Sequence, residues 1–314
     1  MKLDATARGV YAIAVTPFDR EGDIDRPSVD RMMDFYIGCG VTGLTILGVM
    51  GEAPKLEGQE ALALTRQVVA RAGALPIIVG VSAPGFAAMR ALAHGAMDIG
   101  AAGVMIAPPS NLRTDEQIVG YYRQAVAAIG PDIPFAVQDY PLTFQVVMTP
   151  KVIREIVREL PSCVMLKHED WPGLEKISAL RSFEAEGSMR SISILCGNGG
   201  LFLDFEMERG ANGAMTGYAF PDMLVEVVRL SQSGERHRAH DLFDAHLPLL
   251  RYEQQAGIGL AVRKYVLQKR GAIAFDSQRT PSVGLSQRAK AEIDFLLERL
   301  ARTDSRAALP ATAA

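Results

Sequence analysis

The sequence predicts an α/β protein built as a closed (β/α)8 TIM barrel with a C-terminal helical extension. Short apolar, β-branched runs alternate with longer segments of helical spacing, and eight such runs are present. Runs that are apolar throughout are typical of parallel strands covered on both faces. Eight βα units favour a closed barrel, and no G-x-G-x-x-G follows the first run. An open doubly wound sheet is the less favoured alternative.

The eight runs begin roughly 20 to 35 residues apart, which is the spacing expected when each run opens one βα unit. We therefore predict one strand for each run. The predicted strands are Val10–Thr16, Leu44–Leu47, Pro76–Val81, Val104–Ala107, Pro134–Gln138, Cys163–Lys167, Ile192–Cys196 and Gly213–Thr216.

Amphipathic segments lie between the strands, and several begin with a residue that favours a helix start. Ser28 follows a proline, and Thr114 and Thr149 stand directly before acidic residues and a proline, respectively. The segments predict helices that include Ser28–Cys39, Glu57–Ala72, Asp115–Ile129, Pro150–Glu159 and Gly173–Phe183.

Beyond about Phe220 the strand pattern ends and only helical patterns remain. These predict helices at Asp222–Ser231, Arg236–Leu247, Ile258–Lys269 and Ser286–Leu300. We therefore expect a barrel domain over 1–222, a helical domain over 223–301, and a flexible Ala/Thr/Pro-rich tail over 302–314.

Composition restricts the class of protein. The 314 residues are 48% apolar and 22% charged with a net charge of −3, which excludes a disordered or fibrous chain. No basic cluster or long apolar run points to binding of nucleic acid or insertion into a membrane.

The three cysteines are widely spaced and form no C-x-x-C, so we expect free thiols, a cytoplasmic protein, and neither a cofactor nor a metal. His237, His240 and Asp241 have helical spacing, for which a solvated face is favoured over a metal site.

Lys167 is the lysine that closes a predicted strand, whereas the others fall in helical patterns, flanks or loops. Reacting groups of such barrels lie at the carboxyl ends of the strands. Loss of solvation there favours the neutral amine, which attacks carbonyls to form a Schiff base. A structural ion pair with Glu169 or Asp170 is an equally weighted alternative. By strand alternation Lys167 and Glu169 share a face, which directs His168 toward the helices and lets Glu169 assist proton transfer.

Two loops add polar groups to the same edge. The glycines of Gly48–Pro54, after the second strand, leave backbone N–H groups free to face an anion such as a carboxylate. Tyr140, after the fifth strand, can relay a proton, although a packed ring is the more common use of such a tyrosine. Each loop alone is a weak signal.

Taken together, these residues resemble the dihydrodipicolinate synthase and N-acetylneuraminate lyase family of class I aldolases. Residues 14–18 look like the family's opening strand, and 48–52 stand where its G-T/S-T/S-G-E carboxylate loop belongs. Lys167 falls at the Schiff-base lysine, while Gly197 and 213–216 look like the later glycine signatures. The resemblance covers roughly residues 10–300. It implies a barrel with a helical domain, a homo-oligomer (tetramer or dimer), and pyruvate or another 2-oxo acid held as an enamine.

The resemblance also implies the roles of single residues. Lys167 would be the nucleophile and Tyr140 a displaced proton donor, since Gln138 occupies the family's tyrosine position. The substrate-binding positions would be Val49, Met50, Ser110, Gln138 and Met215.

The chain departs from the family at several of these positions. Val49 and Met50 replace two hydroxyl residues, so they keep backbone donors but lose the relay hydroxyl. Ser110 stands near another family tyrosine. The stretch 142–144, Leu-Thr-Phe, lacks the arginine with which the synthase branch binds its aldehyde substrate. These changes argue against authentic dihydrodipicolinate synthase activity.

We therefore expect a Schiff-base lyase that acts on pyruvate or another 2-oxo acid, with or without an aldehyde as second substrate, by aldol addition, cleavage or dehydration through Lys167. One alternative is an authentic 4-hydroxy-tetrahydrodipicolinate synthase of lysine biosynthesis. Another is a catalytically silent regulatory protein that binds a 2-oxo acid. A phosphate- or flavin-binding barrel is least favoured, because residues 197–200 are only a faint phosphate loop.

Overall fold

A computed structural model describes residues 2–309. Eight parallel strands close into a barrel in chain order, with β1 pairing to both β2 and β8. This confirms the predicted fold class. The strands are β1 Gly9–Ile13, β2 Gly43–Ile46, β3 Ile77–Gly80, β4 Gly103–Ile106, β5 Phe135–Asp139, β6 Cys163–His168, β7 Ser193–Cys196 and β8 Gly213–Ala214.

Helices surround the barrel and form the extension. They are α1 Arg26–Gly38, α2 Gly58–Ala72, α3 Phe86–Ile99, α4 Asp115–Ile129, α5 Pro141–Phe144, α6 Pro150–Glu159, α7 Leu174–Ala185, α8 Leu203–Glu208, α9 Pro221–Gln232, α10 Arg236–Glu253, α11 Gly259–Lys269 and α12 Gln287–Leu300. Several starts follow the predicted caps: the side chain of Thr114 accepts from the N–H of Gln117, and that of Thr149 accepts from the N–H of Val152.

Two layers of apolar side chains form the core. A large layer fills the space between strands and helices, and a smaller cluster fills the barrel interior. Met165 belongs to the interior cluster and Leu166 to the outer layer, as strand alternation requires.

The extension differs from the prediction at three places. Helix α9, predicted as its first helix, packs against β1 and β8 as well as α10 and so completes the ring of the barrel. Helix α10 does not end at Leu247 but continues through Pro248 to Glu253, because Leu249, Leu250 and Glu253 are buried there and offset the hydrogen bond that proline cannot make.

The third difference is the tail. Residues 302–309 are ordered against the extension, because the buried His246 bonds Asp304 through Nε2 at 2.7 Å and a 3₁₀ turn follows at Ser305–Ala307. The remainder of the predicted flexible tail, 310–314, lies outside the described residues.

Candidate active site

Lys167 lies at the carboxyl end of β6 and faces the barrel axis, because it stands two residues after the interior Met165. Its side chain is 6% exposed, and it lines a cavity of about 70 Å³ at the mouth of the barrel. A cavity of this size has room for several water molecules or one small metabolite. The amine is therefore buried but open to a ligand.

Glu169 shares the face of Lys167, as strand alternation predicts, and its carboxylate contacts three neighbouring polar groups. Oε2 lies 3.0 Å from Lys167 Nζ and accepts a hydrogen bond of 2.8 Å from Gln138 Nε2. Oε1 accepts from the backbone N–H of Asn198 at 3.0 Å. Two donors, the amide of Gln138 and the backbone N–H of Asn198, hold this carboxylate against the amine. An ion pair and a cavity beside the lysine are therefore present together.

The cavity is formed by the ends of several strands and by the helical extension. Its lining residues are Ile13, Val49, Met50, Gln138, Tyr140, Lys167, Glu169, Asn198, Gly199, Thr216, Gly217, Gln254 and Arg263. Five of the seven predicted site residues are therefore brought together here.

The loop after β2 brings backbone donors to the cavity. Val49 and Met50 are the first residues of a 3₁₀ turn, Val49–Gly51, so their N–H groups have no acceptor within it. Thr16 Oγ1 donates to Gly51 O at 2.6 Å, and the buried Glu52 bonds Lys264 Nζ at 2.6 Å. These two bonds anchor the loop to β1 and to the extension.

Tyr140 lines the same cavity one residue beyond β5. Burial raises the pKa of its hydroxyl above the ordinary value, and the negative charge of Glu169 adds to the rise. The nearby guanidinium of Arg263 opposes it. At neutral pH this phenol carries its proton, so it is a hydrogen-bond donor to any ligand in the cavity.

Two predicted positions do not line this cavity. Ser110 is exposed in the loop after β4, where its carbonyl accepts from Arg113, and it does not line the cavity. Met215 is fully buried in the interior cluster, and the cavity wall at this strand end is made by the two residues that follow it, Thr216 and Gly217.

Sequence analysis missed the contribution of the extension. Arg263 of α11 reaches the cavity, and its Nε donates to Glu253 Oε1 at 2.7 Å. Gln254, directly after α10, also lines the cavity. Small residues at the strand ends were the available signal, since Gly199 and Gly217 leave the space that these side chains occupy.

His168 points away from the cavity toward α7, as predicted, and both of its ring nitrogens lack a hydrogen-bond partner among the described residues. Burial, with Lys176 adding to it, lowers its pKa to about 4. Lys176 Nζ lies 2.7 Å from Asp139 and 2.5 Å from Asp170. This cluster supports the strand ends from behind and takes no part in the cavity wall.

Metal-ligating side chains do not gather in threes anywhere in 2–309. Over the same residues, every helix is too short or too polar to cross a bilayer.

Comparison with known proteins identifies relatives of the whole chain. The sequence model of the dihydrodipicolinate synthetase family matches residues 6–300. An L-2-keto-3-deoxyarabonate dehydratase from Azospirillum brasilense is 30% identical, covering 93% of this chain and 94% of that protein. A 4-hydroxy-tetrahydrodipicolinate synthase from Ruegeria pomeroyi is 28% identical, covering 93% and 98%. The crystal structure of a dihydrodipicolinate synthase from Rhodopseudomonas palustris is 64% identical, with a TM-score of 0.94 over 95% of this chain and 99% of that one.

Proposed function

The chain belongs to the dihydrodipicolinate synthetase family of lyases, and we propose that it forms a Schiff base with a 2-oxo acid through Lys167. The observation that carries this proposal is the placement of the amine: it is buried at the end of β6, faces the barrel axis and opens into a small cavity. A second buried lysine, Lys264, is saturated by Glu52 and two backbone carbonyls and does not line the cavity.

The first step is condensation. The neutral amine of Lys167 attacks the keto carbon, and water leaves to give a protonated imine. The carboxylate of the substrate accepts hydrogen bonds from the N–H groups of Val49 and Met50, which carry no intrahelical acceptor. The imine then serves as an electron sink, and loss of a proton from the adjacent carbon gives the enamine.

Glu169 is the acid–base group best placed for these steps, because its Oε2 lies 3.0 Å from the amine. It accepts a proton when the amine is neutralised and returns one as water leaves. Gln138 stands where the family has its tyrosine, and it holds Glu169 by a bond of 2.8 Å rather than relaying protons itself. Tyr140 supplies a hydrogen-bond donor on the neighbouring wall.

Addition, cleavage and dehydration share this enamine, and we propose the class rather than one product. Authentic 4-hydroxy-tetrahydrodipicolinate synthase activity is the second candidate, favoured by the 64% identity to a protein named dihydrodipicolinate synthase and by the 28% identity to one named 4-hydroxy-tetrahydrodipicolinate synthase. The uncharged stretch 142–144 weighs against it, since it offers no cation for a second carboxylate. Turnover of pyruvate with aspartate 4-semialdehyde distinguishes the two candidates.

Borohydride trapping tests the proposal. Pyruvate and borohydride are added to the purified protein, and peptide mass mapping locates the reduced adduct. We expect the adduct on Lys167 and on no other lysine. The Lys167→Met protein should carry none, whereas the same substitution at the partly exposed Lys269 should leave the adduct unchanged. A wild-type protein without an adduct on Lys167 would overturn the proposal.

A regulatory protein that only binds 2-oxo acids predicts a different pattern. Pyruvate would raise the melting temperature without turnover on any 2-oxo acid or aldehyde. Turnover that disappears in the folded Lys167→Met protein would exclude this alternative.

We propose a homo-oligomer, a dimer or tetramer, as the family resemblance implies. Three aromatic rings support an interface: Trp171, Phe202 and Phe205 are 48%, 38% and 44% exposed, and the first two rings pack edge to face. Light scattering on the purified chain gives the mass directly. A single species of monomer mass at micromolar concentration would contradict the proposal.

A further inference from the structure

We propose that Arg263 and Gln254 form a subsite for hydroxyl groups on the distal carbons of the substrate. The substrate class would then be a monocarboxylate 2-oxo acid with a hydroxylated chain. This inference rests on the proposed function, because it places the keto carbon at Lys167. The two side chains come from the helical extension, so the specificity of the barrel would be set by a different part of the chain.

The end of β8 is shaped to admit the arginine. A Cβ at Gly217 would lie 2.7 Å from Arg263 Nη1 and 3.0 Å from the carbonyl oxygen of Ile13, so a side chain at 217 would push the guanidinium out of its present place. The guanidinium therefore lies directly against the backbone at the cavity wall. An arginine on the protein surface would not require a glycine at position 217.

Glu253 fixes the guanidinium of Arg263, and one guanidinium nitrogen keeps unused N–H donors. Glu253, whose side chain is fully buried, accepts from both Nε and Nη2 through Oε1. Nη1, the atom nearest to Gly217, donates to no acceptor among residues 2–309. Its two N–H groups are thus available to a ligand in the cavity.

Gln254 repeats the arrangement on the adjacent strand end. A Cβ at Gly199 would lie 1.9 Å from Gln254 Nε2, so the amide fills the place of a missing side chain after β7. The amide lines the cavity, and the hydrogen bonds of Gln254 within the described part of the chain are made by its backbone N–H. The amide therefore offers one acceptor and two donors beside the guanidinium.

Charge decides between hydroxyls and a second carboxylate. The cavity holds two cations, Lys167 and Arg263, and each is already paired with a carboxylate, Glu169 or Glu253. One substrate carboxylate is accounted for by the backbone N–H groups of the loop after β2. A second carboxylate would meet two ion pairs without net charge rather than an unpaired cation. Hydroxyl groups, in contrast, both donate and accept hydrogen bonds and so match an arginine and an amide.

The test compares three five-carbon 2-oxo acids: 2-oxopentanoate, 4,5-dihydroxy-2-oxopentanoate and 2-oxopentanedioate. The measured quantity is the concentration that gives half-maximal initial borohydride trapping on Lys167, with pyruvate as reference. We expect half-saturation by the dihydroxy acid at a concentration about tenfold or more below that of the other two, since a hydrogen bond to a charged donor is worth about that factor.

Two variants remove the subsite. The double variant Arg263→Met/Glu253→Gln replaces the ion pair without leaving a buried charge, and Gln254→Ala leaves the ion pair intact. In both, the half-saturating concentration of the dihydroxy acid should move toward that of 2-oxopentanoate, so that the advantage shrinks to about threefold or less in the double variant. Arg270→Met is the control: Arg270 makes a partly buried ion pair, with Asp222 at 2.7 Å, but does not line the cavity.

The outcomes separate the two proposals. Failure of pyruvate trapping in the wild type overturns the proposed function. Normal pyruvate trapping without a dihydroxy advantage, or an advantage retained in the variants, overturns only the subsite. Preference for the dicarboxylate overturns the assignment to hydroxyls. If the double variant does not fold, Gln254→Ala decides the matter, because the Gln254 side chain is partly exposed.

Discussion

Asp139→Asn should change how the stability of this protein depends on pH. Asp139 ends β5, its side chain is fully buried, and Lys176 Nζ lies 2.7 Å from Oδ2. Oδ1 has no hydrogen-bond partner among the described residues. Burial raises the pKa of the carboxyl from 3.8 to about 7, and the nearby lysine only partly opposes the rise.

The sign follows from proton linkage. Because the folded pKa lies above the unfolded value, the folded state binds the proton more tightly, and stability is lost as pH rises from 3.8 to about 7. At 1.36 kcal/mol per pH unit, this group removes about 4 kcal/mol across that window. Asparagine has the same shape and does not ionise, while Lys176 keeps Asp170 at 2.5 Å.

Urea unfolding of both proteins at about pH 4 and about pH 8, at one protein concentration, measures this effect. The free energy of unfolding of the variant relative to wild type should rise by about 4 kcal/mol between the two pH values. Asp276→Asn, at a partly exposed ion pair with Lys290, is the matched control and should shift by less than about 1 kcal/mol. A relative stability of Asp139→Asn that stays constant within about 1 kcal/mol would refute the reasoning.

Three further predictions follow from contacts at the site and in the extension. Glu169→Gln removes the carboxylate that accepts a proton beside the amine, so turnover should fall by about 10²–10⁴-fold while pyruvate is still trapped. An unchanged kcat would contradict the role of this carboxylate. Lys264→Met leaves the buried Glu52 without its closest cation, and urea unfolding should show a loss of about 3–5 kcal/mol; a loss below about 1 kcal/mol would mean that the pair is replaceable. Asp304→Ala removes the partner of His246, so amide exchange over 302–309 should accelerate relative to α12, and equal protection would show that other contacts hold this segment.

The parts of the site that local patterns describe could be predicted from the sequence. Alternation along β6 placed Lys167 and Glu169 on one face and His168 on the other, and the structure has them so. This works because the period of a strand is two residues whatever surrounds it. The glycines after β2 likewise indicated free backbone donors before any contact was known.

The remainder depends on contacts between distant parts of the chain. Arg263 follows Lys167 by nearly a third of the sequence, and its helical pattern does not reveal that α11 lies over the barrel mouth. Ser110 and Met215 were placed by resemblance alone, and the resemblance does not include where β8 ends. The tail was predicted from composition, which does not register one buried bond between His246 and Asp304.

The space beside Gly199 and Gly217 is occupied by one distant partner each, Gln254 and Arg263. An alanine at 217 would push the end of the Arg263 side chain away from the cavity wall, and an alanine at 199 would do the same to Gln254. A homologue with a side chain at either position therefore holds the partner residue in a different place. The residues at positions 199 and 254 and at 217 and 263 thus indicate which homologues keep this pocket and which have a different one.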